Sequence, residues 1–115
     1  MFSEKVVKGI VVLVTTPSKK EADKIVRSLL SKRLIACANI FGPVESNFRW
    51  KRKIDKASEF LVLMKSSEKL FTKLSQAIRE MHSYEVPEIL ALPIVKGSKT
   101  YVEWLNASLT DSGEP

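Results

Sequence analysis

The chain is short of the residues that most often build metal sites and disulfides. Its 115 residues include one cysteine, Cys37, and one histidine, His82. A single thiol excludes an intramolecular disulfide and a cysteine-cluster metal site, and it favours a reducing, intracellular setting. Between Ala36 and Ala38, the cysteine is predicted to be a small buried side chain rather than a ligand or a nucleophile.

Long apolar runs and a glycine-rich loop are missing as well. No stretch approaches the roughly 20 consecutive apolar residues of a membrane span. The N-terminal apolar run is interrupted by Lys8 and Gly9, and no cleavage site of small residues follows it. We therefore expect a cytoplasmic protein with no signal peptide and no membrane partner. The four glycines are scattered, which counts against a phosphate-binding loop.

Positive charge is present in excess but is mostly dispersed along the chain. The formal net charge of +6 would suit a nucleic-acid partner. The densest basic segment is "RWKRKIDK", residues 49–56, where Trp50 stands among five basic residues. A solvated hairpin tip is the simplest interpretation of this segment, and a site for a small anion is the alternative. No nucleic-acid partner is expected.

The first half of the chain predicts a strand, a helix and a hairpin. Residues 9–16 are rich in β-branched residues and predict a buried strand. Ser18 followed three residues later by Glu21 predicts a capping box at the start of a helix. Two further strands, the first bent at Gly42-Pro43, are predicted to pair through a turn at residues 51–53.

The second half predicts a helix, a strand and a short closing helix. The second helix has Ser67 as its expected N-cap and ends near His82. Pro93 cannot donate a backbone hydrogen bond, so the fourth strand should lie at a sheet edge or carry a bulge. The last helix is expected to bury four residues: Tyr101, Val102, Leu105 and Leu109. We expect one domain over residues 1–115, with an ordered core of about 9–109 and a flexible tail at 110–115.

This order, β-α-β-β-α-β and a C-terminal helix, indicates an α+β fold of the ferredoxin-like type. Such a fold places an antiparallel sheet against two helices on one face. The other face of a lone sheet is wet, and its strands should then alternate apolar and polar residues. The runs 10–14, 60–64 and 89–92 do not alternate. We therefore expect other copies of the chain to cover the second face, in an obligate oligomer.

Five motifs in order resemble the CutA family of divalent-cation tolerance proteins. They are "VVLVTTP", "RLIACANI", "RWKRKI", "HSYEVPEILALPIV" and "YVEWLNAS", and they span residues 9–108. The resemblance implies a homotrimer with sheets packed around a threefold axis, and a long hairpin that reaches the adjacent subunit. It also implies divalent metal-ion (copper) tolerance, a PII-like architecture and no enzymatic activity.

The same resemblance directs attention to the segment that follows the second helix. His82 and Glu85, with Glu88 nearby, offer one imidazole and carboxylates, which suit copper(II) or another divalent cation. The positions credited with copper binding in the family match Val14, Met81 and His82, so only the histidine is retained here. No cofactor is required. The structural alternative is that His82 ends a helix and interacts with its last carbonyls.

A cleft between subunits is the second candidate site. Lys65, Tyr84, Trp50 and Arg49 are expected to line it, and Lys65 with Arg49 would favour an anion. A PII-like protein that binds a nucleotide or another small anion is therefore the alternative function, and Trp50 has the alternative of anchoring a neighbouring chain. At Arg52 the family often has glycine, so either the turn keeps a positive φ there at a cost in strain or the turn has changed type. An RNA-recognition module shares the element order, but it needs stacking aromatics on its sheet. The central strands here carry aliphatic residues instead, at 11–13 and 61–63, so this function ranks last.

Overall fold

In the computed structural model, residues 8–110 form one antiparallel sheet and its helices. The elements in chain order are β1 Gly9–Thr16, α1 Lys19–Ser31, β2 Cys37–Trp50, β3 Lys53–Ser67, a 3-10 turn Glu68–Leu70, α2 Phe71–Met81, β4 Ile89–Pro93 and α3 Lys99–Ser108. The four strands lie in the order β2-β3-β1-β4, and each neighbouring pair is antiparallel. The prediction of an α+β fold with an antiparallel sheet and helices is confirmed. The apolar lead-in before Lys8 and the tail beyond Thr110 lie outside the described residues.

The bend predicted at Gly42 is a break in the register between β2 and β3. Pairing is regular up to Phe41 and resumes at Val44. Gly42 has a φ of +151°, and a Cβ there would lie 2.9 Å from the Glu59 carbonyl oxygen. Any side chain at this position would meet rigid backbone, so glycine is needed where the strand bends.

The hairpin turn consists of Lys51 and Arg52, and both have left-handed backbones. Their φ values are 51° and 68°. A two-residue hairpin loop of type I′ requires positive φ at both central positions because its twist must match that of the strands. Of the two alternatives for Arg52, the structure has the backbone with positive φ. A side chain in this region costs roughly 1–2 kcal/mol.

Beyond the sheet, β2 and β3 continue as a two-stranded ribbon, formed by residues 44–50 and 53–59. The partner strand β1 pairs with β3 only from Phe60 to Ser67, whereas β2 pairs with β3 as far as Trp50 and Lys53. At about 3.3 Å per residue, the ribbon extends roughly 20 Å past the last pair with β1. It gives the described chain its long dimension, 51 Å against 27 and 22 Å.

One face of the sheet and helices α1 and α2 enclose the core. The strand positions that face the helices are almost fully buried, as Val12, Val14 and Met64 show at 0% exposure. The helices contribute Ile25, Leu29, Leu74 and Ile78. The predicted apolar stripe of each helix packs against this face of the sheet.

The opposite face of the sheet, which we call the open face, is apolar but uncovered in the single chain. It carries Val11, Leu13, Leu61, Leu63, Leu90 and Leu92. The two β4 leucines are 56% and 51% exposed. An apolar second face is therefore confirmed, and β4, with Pro93 at its end, lies at the predicted sheet edge.

Three local expectations are wrong. Ser67 precedes the 3-10 turn but makes no capping bond, and its buried Oγ has no hydrogen-bond partner within the described chain. Tyr101 is 41% exposed because it lies over the edge of the open face rather than in the core. Cys37 is only half-buried because it also lies on that face.

Candidate functional site

His82 lies at the end of α2 with both ring nitrogens in hydrogen-bond contact. Its side chain is 0% exposed, its Nε2 lies 2.7 Å from the Thr15 carbonyl oxygen, and its Nδ1 accepts a bond of 3.1 Å from the Tyr84 N–H. Because Nδ1 accepts, the ring proton is on Nε2, which donates to the Thr15 carbonyl. The expected contact with the last carbonyls of the helix is wrong, since the ring is turned towards β1.

The Glu21 carboxylate joins the first turn of α1 to the same loop. Its Oε2 accepts a bond of 2.9 Å from the Ser83 N–H and lies 3.4 Å from the His82 Nδ1. Ser18 caps the helix by accepting from the Glu21 N–H at 3.1 Å. The serine half of the predicted capping box is thus formed. The Glu21 carboxylate instead accepts a hydrogen bond from the loop that follows α2.

Tyr84 carries the network across to β3. Its hydroxyl donates a bond of 2.6 Å to Oε2 of Glu59, a residue only 6% exposed. Burial, the bond to Glu59 and the charges of Glu59 and Glu21 raise the pKa of Tyr84 from 10.0 to about 12. The phenol therefore remains a donor at neutral pH. Its ring lies 4.9 Å from that of His82.

These four side chains, Glu21, Glu59, His82 and Tyr84, form what we call the polar network. It connects the start of α1, the middle of β3 and the loop between α2 and β4. Sequence reasoning found His82 and Tyr84 but missed Glu59, and it assigned Glu21 to capping alone. The signal for Glu59 was a carboxylate directly before the apolar run 60–64, where an unpaired charge would be costly.

The predicted metal ligands are not gathered into a cluster in the single chain. Glu85 and Glu88 are exposed, and residues 8–110 contain no group of three or more His, Cys, Asp and Glu side chains placed to hold a metal ion. Both nitrogens of His82 already have partners. The donor set of one chain therefore does not fit a resident metal. The site at His82 and Glu85 stays a prediction, one that would need groups from other copies.

Lys65, on β3, lies on the open face beside polar side chains of β2 and α3. Its Nζ is 3.4 Å from Oδ1 of Asn39 and 5.9 Å from the ring centroid of Tyr101. The Tyr101 hydroxyl lies 3.5 Å from Sγ of Cys37, and this contact together with burial raises the pKa of the phenol. Asn39 and Tyr101 were not anticipated, because only the register and the docking of α3 bring them to Lys65.

The expected cleft residues are separated within one chain. Arg49 and Trp50 lie at the ribbon's end, and Trp50 pairs with Lys53. Lys65 is twelve residues further along β3, which corresponds to roughly 40 Å of strand. Lys65 therefore meets Arg49 and Trp50 only if different copies contribute them. Tyr84 is held at Glu59, between these two ends.

The four-stranded antiparallel sheet, its layer of helices and the polar network define a small α+β protein with no metal cluster among residues 8–110. The chain belongs to the CutA1 family: the family model described as CutA1 divalent ion tolerance protein matches residues 10–108. Within the described chain, no helix has the length and hydropathy required to cross a membrane.

Curated relatives and solved structures agree with this assignment. The chain is 41% identical to the divalent-cation tolerance protein CutA of Thermus thermophilus, over 83% of this chain and 92% of the relative. It is 40% identical to the chloroplastic CutA protein of Arabidopsis thaliana, over 92% of this chain but only 58% of the relative's length. The CutA1 structure from Oryza sativa matches with a TM-score of 0.90 at 39% identity, over 92% of this chain and 97% of that one.

The relatives differ in their compartments. The Arabidopsis protein is named as chloroplastic, and the structure from Archaeoglobus fulgidus is described as a periplasmic divalent cation tolerance protein, with a TM-score of 0.84 at 38% identity over 87% of this chain and 97% of that one. A cytoplasmic location thus stays a prediction for this chain. The family is named for tolerance of divalent ions and not for a reaction.

Proposed function

We propose that the chain is a non-enzymatic protein of copper and divalent metal-ion tolerance that acts as a homotrimer and binds its cation weakly. The observation that carries the proposal is the CutA1 family match across residues 10–108. The site is consistent with a binding function, since the polar groups of the network bond to one another. His82 and Glu59 are buried and paired, so neither stands free as a general base.

The open face and the ribbon support assembly into an oligomer. A sheet whose second face carries six aliphatic side chains is unstable against water unless another surface covers it. A two-stranded ribbon is also marginally stable by itself. In the proposed trimer of ferredoxin-like subunits, sheets pack against one another and each ribbon lies on an adjacent subunit. Both features would then be buried.

The geometry around His82 is the reason for proposing weak rather than tight cation binding. A copper ion at this histidine must either displace the Tyr84 N–H from Nδ1 or displace the Thr15 carbonyl from Nε2. Either displacement leaves a backbone group without its partner, at a cost of roughly 1–3 kcal/mol. A cation site built from Glu85 and groups of neighbouring copies avoids this cost only if both hydrogen bonds of the His82 ring stay intact.

Titration of the metal-free protein with copper(II) tests the proposal, with the mass in solution recorded alongside. Saturable binding by a trimer is the expected result. Because the chain has one histidine, its imidazole NMR signals are assigned without further variants, and their paramagnetic broadening reports copper near His82. Saturable binding without broadening would place the cation elsewhere, and an absence of saturable binding would overturn the cation function.

Two glutamate variants distinguish copper binding at the predicted site from unselective binding at the protein surface. Glu85→Gln should weaken saturable copper binding, whereas Glu103→Gln, an exposed glutamate on α3, should leave it unchanged. Equal losses in both variants would mean that copper binds exposed carboxylates without selectivity.

Lys65 supports a second candidate, a PII-like protein that binds an anionic small molecule or nucleotide at the subunit cleft. Its ammonium lies on the open face beside Asn39 and Tyr101, which can donate further hydrogen bonds. In this case ATP or another nucleotide should bind saturably, and Lys65→Ala should abolish the binding while the trimer persists. Unchanged affinity in that variant would remove Lys65 from the cleft.

A further inference from the structure

We propose that a groove between the outer sides of α1 and α2 binds a small organic anion, in which a carboxylate or phosphate is attached to an apolar body. This helix groove is lined by residues from 31–34 at the end of α1 and from 73–80 of α2. Its volume is about 450 Å³, within the range of pockets that hold small molecules. No lining residue belongs to the polar network or to the cleft at Lys65, so the proposal is independent of both candidate functions.

The directions of the two helices place two lysines at the same end of the groove. Where α1 begins, the Glu21 carboxylate meets the Ser83 N–H just after the end of α2. The end of α1 therefore lies beside the first turn of α2, where Lys32 and Lys73 both line the groove. Glu80, the acidic lining residue, is seven residues and roughly 10 Å further along α2. The groove is thus positive at one end and negative at the other.

The charge of the two lysines is not matched by an acid of the described chain. Within residues 8–110, neither Lys32 nor Lys73 takes part in an ion pair. A lysine near a helix C-terminus often contacts the last carbonyls. Here the carbonyls of residues 28–30 already accept from the backbone N–H groups of residues 32–34. Both ammonium groups are therefore available to an external anion.

The space between the lysines and the glutamate has an apolar floor. Leu34 and Ala77 line it from below and are 4% and 8% exposed. Ser31 and Ala77 are small, which leaves room between the helices, and the methylene stems of the lysines add apolar surface to the walls. An inorganic anion would leave this floor in contact with water, whereas an apolar body attached to the anion would cover it. The groove therefore favours an organic anion.

The groove faces away from the surface through which the sheets of the proposed trimer meet. The apolar stripes of α1 and α2 pack on one face of the sheet, and the groove lies on the outer side of the same helices. Its exposed rim consists of Ser31, Lys32, Lys73, Gln76 and Glu80. The open face is on the far side of the sheet, so sheet-to-sheet packing leaves the groove accessible.

Titration with three naphthalene derivatives tests the recognition of an anion. Naphthalene-2-carboxylate and 2-naphthyl phosphate carry the two anions on one apolar body, and naphthalene-2-carboxamide is the neutral control. Calorimetry should show saturable binding of at least one anion and roughly tenfold weaker binding of the amide. In amide-resolved NMR spectra, the shifts on binding should centre on residues 31–34 and 73–80.

Three outcomes of these titrations would overturn the proposal. Equal affinity for the anions and the amide would mean that the charge is not recognised. Shifts centred on the strand residues around Lys65 would assign the anion to the subunit cleft. Neither anion binding saturably would mean that the helix groove is not a site for this class of ligand.

Substitutions of opposite sign in the groove give a second test. Lys32→Gln with Lys73→Gln should weaken binding of the anion roughly tenfold, because each exposed ion pair contributes up to about fivefold. Glu80→Gln removes the acid of the same groove and should strengthen binding by up to about twofold. Lys20→Gln with Lys24→Gln, at exposed lysines nearer the start of α1, should leave the affinity unchanged.

The control variants also define what would contradict the charge argument. All five positions are exposed, and circular dichroism with the mass in solution checks that each variant keeps its fold and assembly. Equal losses in the two double-lysine variants would overturn the proposal, because attraction would then follow net charge and not the groove. Weaker binding by Glu80→Gln would also overturn it, since the ligand would then depend on the acidic end.

Discussion

At the scale of single residues, Tyr84 is the member of the polar network whose contribution is easiest to isolate. Its hydroxyl is the donor to a glutamate that the fold buries. Removing the donor leaves the Glu59 carboxylate without this bond in a largely dry environment, and such a loss costs roughly 1–3 kcal/mol. The Tyr84→Phe variant keeps the ring and its contact with His82. It should therefore lower the free energy of unfolding by about this amount.

The same variant reveals a dependence on pH. The Tyr84 pKa is about 12 in the folded chain and 10.0 without burial. Between these values the unfolded phenol loses its proton while the folded one keeps it, so stability falls as pH rises. Urea unfolding from pH 8 to about 12 should show a smaller decline for Tyr84→Phe than for the unaltered protein. Parallel curves would mean that the phenol titrates normally in the fold.

Much of the chemistry of single residues could be predicted, but their partners could not. The sequence places His82 at a helix end, and that position is correct. Its contact with the Thr15 carbonyl joins residues 67 positions apart, and only the docking of α2 on β1 sets that distance. Glu21 illustrates the same limit, since its role in the capping pattern concealed its bond to the Ser83 N–H.

At the scale of elements, Arg33 connects the end of α1 to the closing helix α3. Its guanidinium donates to the carbonyls of Ala107, Ser108 and Leu109, at 2.8, 3.2 and 3.4 Å. These are terminal carbonyls of α3, which have no partner within the helix and carry partial negative charge. Arg33 itself has a φ of 58°. Arg33 thus ends α1 with its backbone, whose N–H donates to the Leu30 carbonyl, and caps α3 with its side chain.

Arg33→Ala should loosen α3 without unfolding the sheet. The charge-assisted bonds are largely exposed, so we expect a loss of about 1–2 kcal/mol. Amide hydrogen exchange should accelerate in Lys99–Ser108 and remain slow in β1. Arg27→Ala, a matched change at an exposed arginine of α1, should leave the exchange of α3 unaltered. Faster exchange throughout the chain would contradict a local capping role.

Element boundaries were predictable where local signals agree. Periodicity and the Ser18 cap define α1, and the basic segment at residues 51–53 locates the hairpin turn, although the sequence left two backbone conformations open at Arg52. The prediction at Ser67 is wrong because a 3-10 turn, Glu68–Leu70, comes between it and α2. The exposure of Tyr101 was equally invisible in the sequence, since helical spacing alone does not say which element a helix packs against.

At the scale of the whole molecule, the apolar runs of β1, β3 and β4 fit the proposed assembly of several copies. In the single chain, β1 and β3 bury one side against the helices and leave the other on the open face, whereas β4 is exposed except for the half-buried Ile89. Six aliphatic side chains there lie together on one face, which is the pattern of an interaction surface. The sequence could predict this excess, because alternation is absent. Local patterns do not show that the ribbon extends past the sheet, and only the family resemblance implied a long hairpin.

The open face should respond sharply to one added charge. Leu63 lies at its centre, paired with Leu13 on one side and Asn39 on the other. Leu63→Lys is tolerated in a single chain, where the ammonium reaches water, but an unpaired charge between sheets costs roughly 3–5 kcal/mol per copy. Light scattering should therefore show a change from the proposed trimer to a monomer. The control Leu30→Lys, at an exposed leucine of α1, should leave the mass unchanged. A trimer that survives Leu63→Lys would mean that the copies meet through another surface, and the open face would then require a different partner.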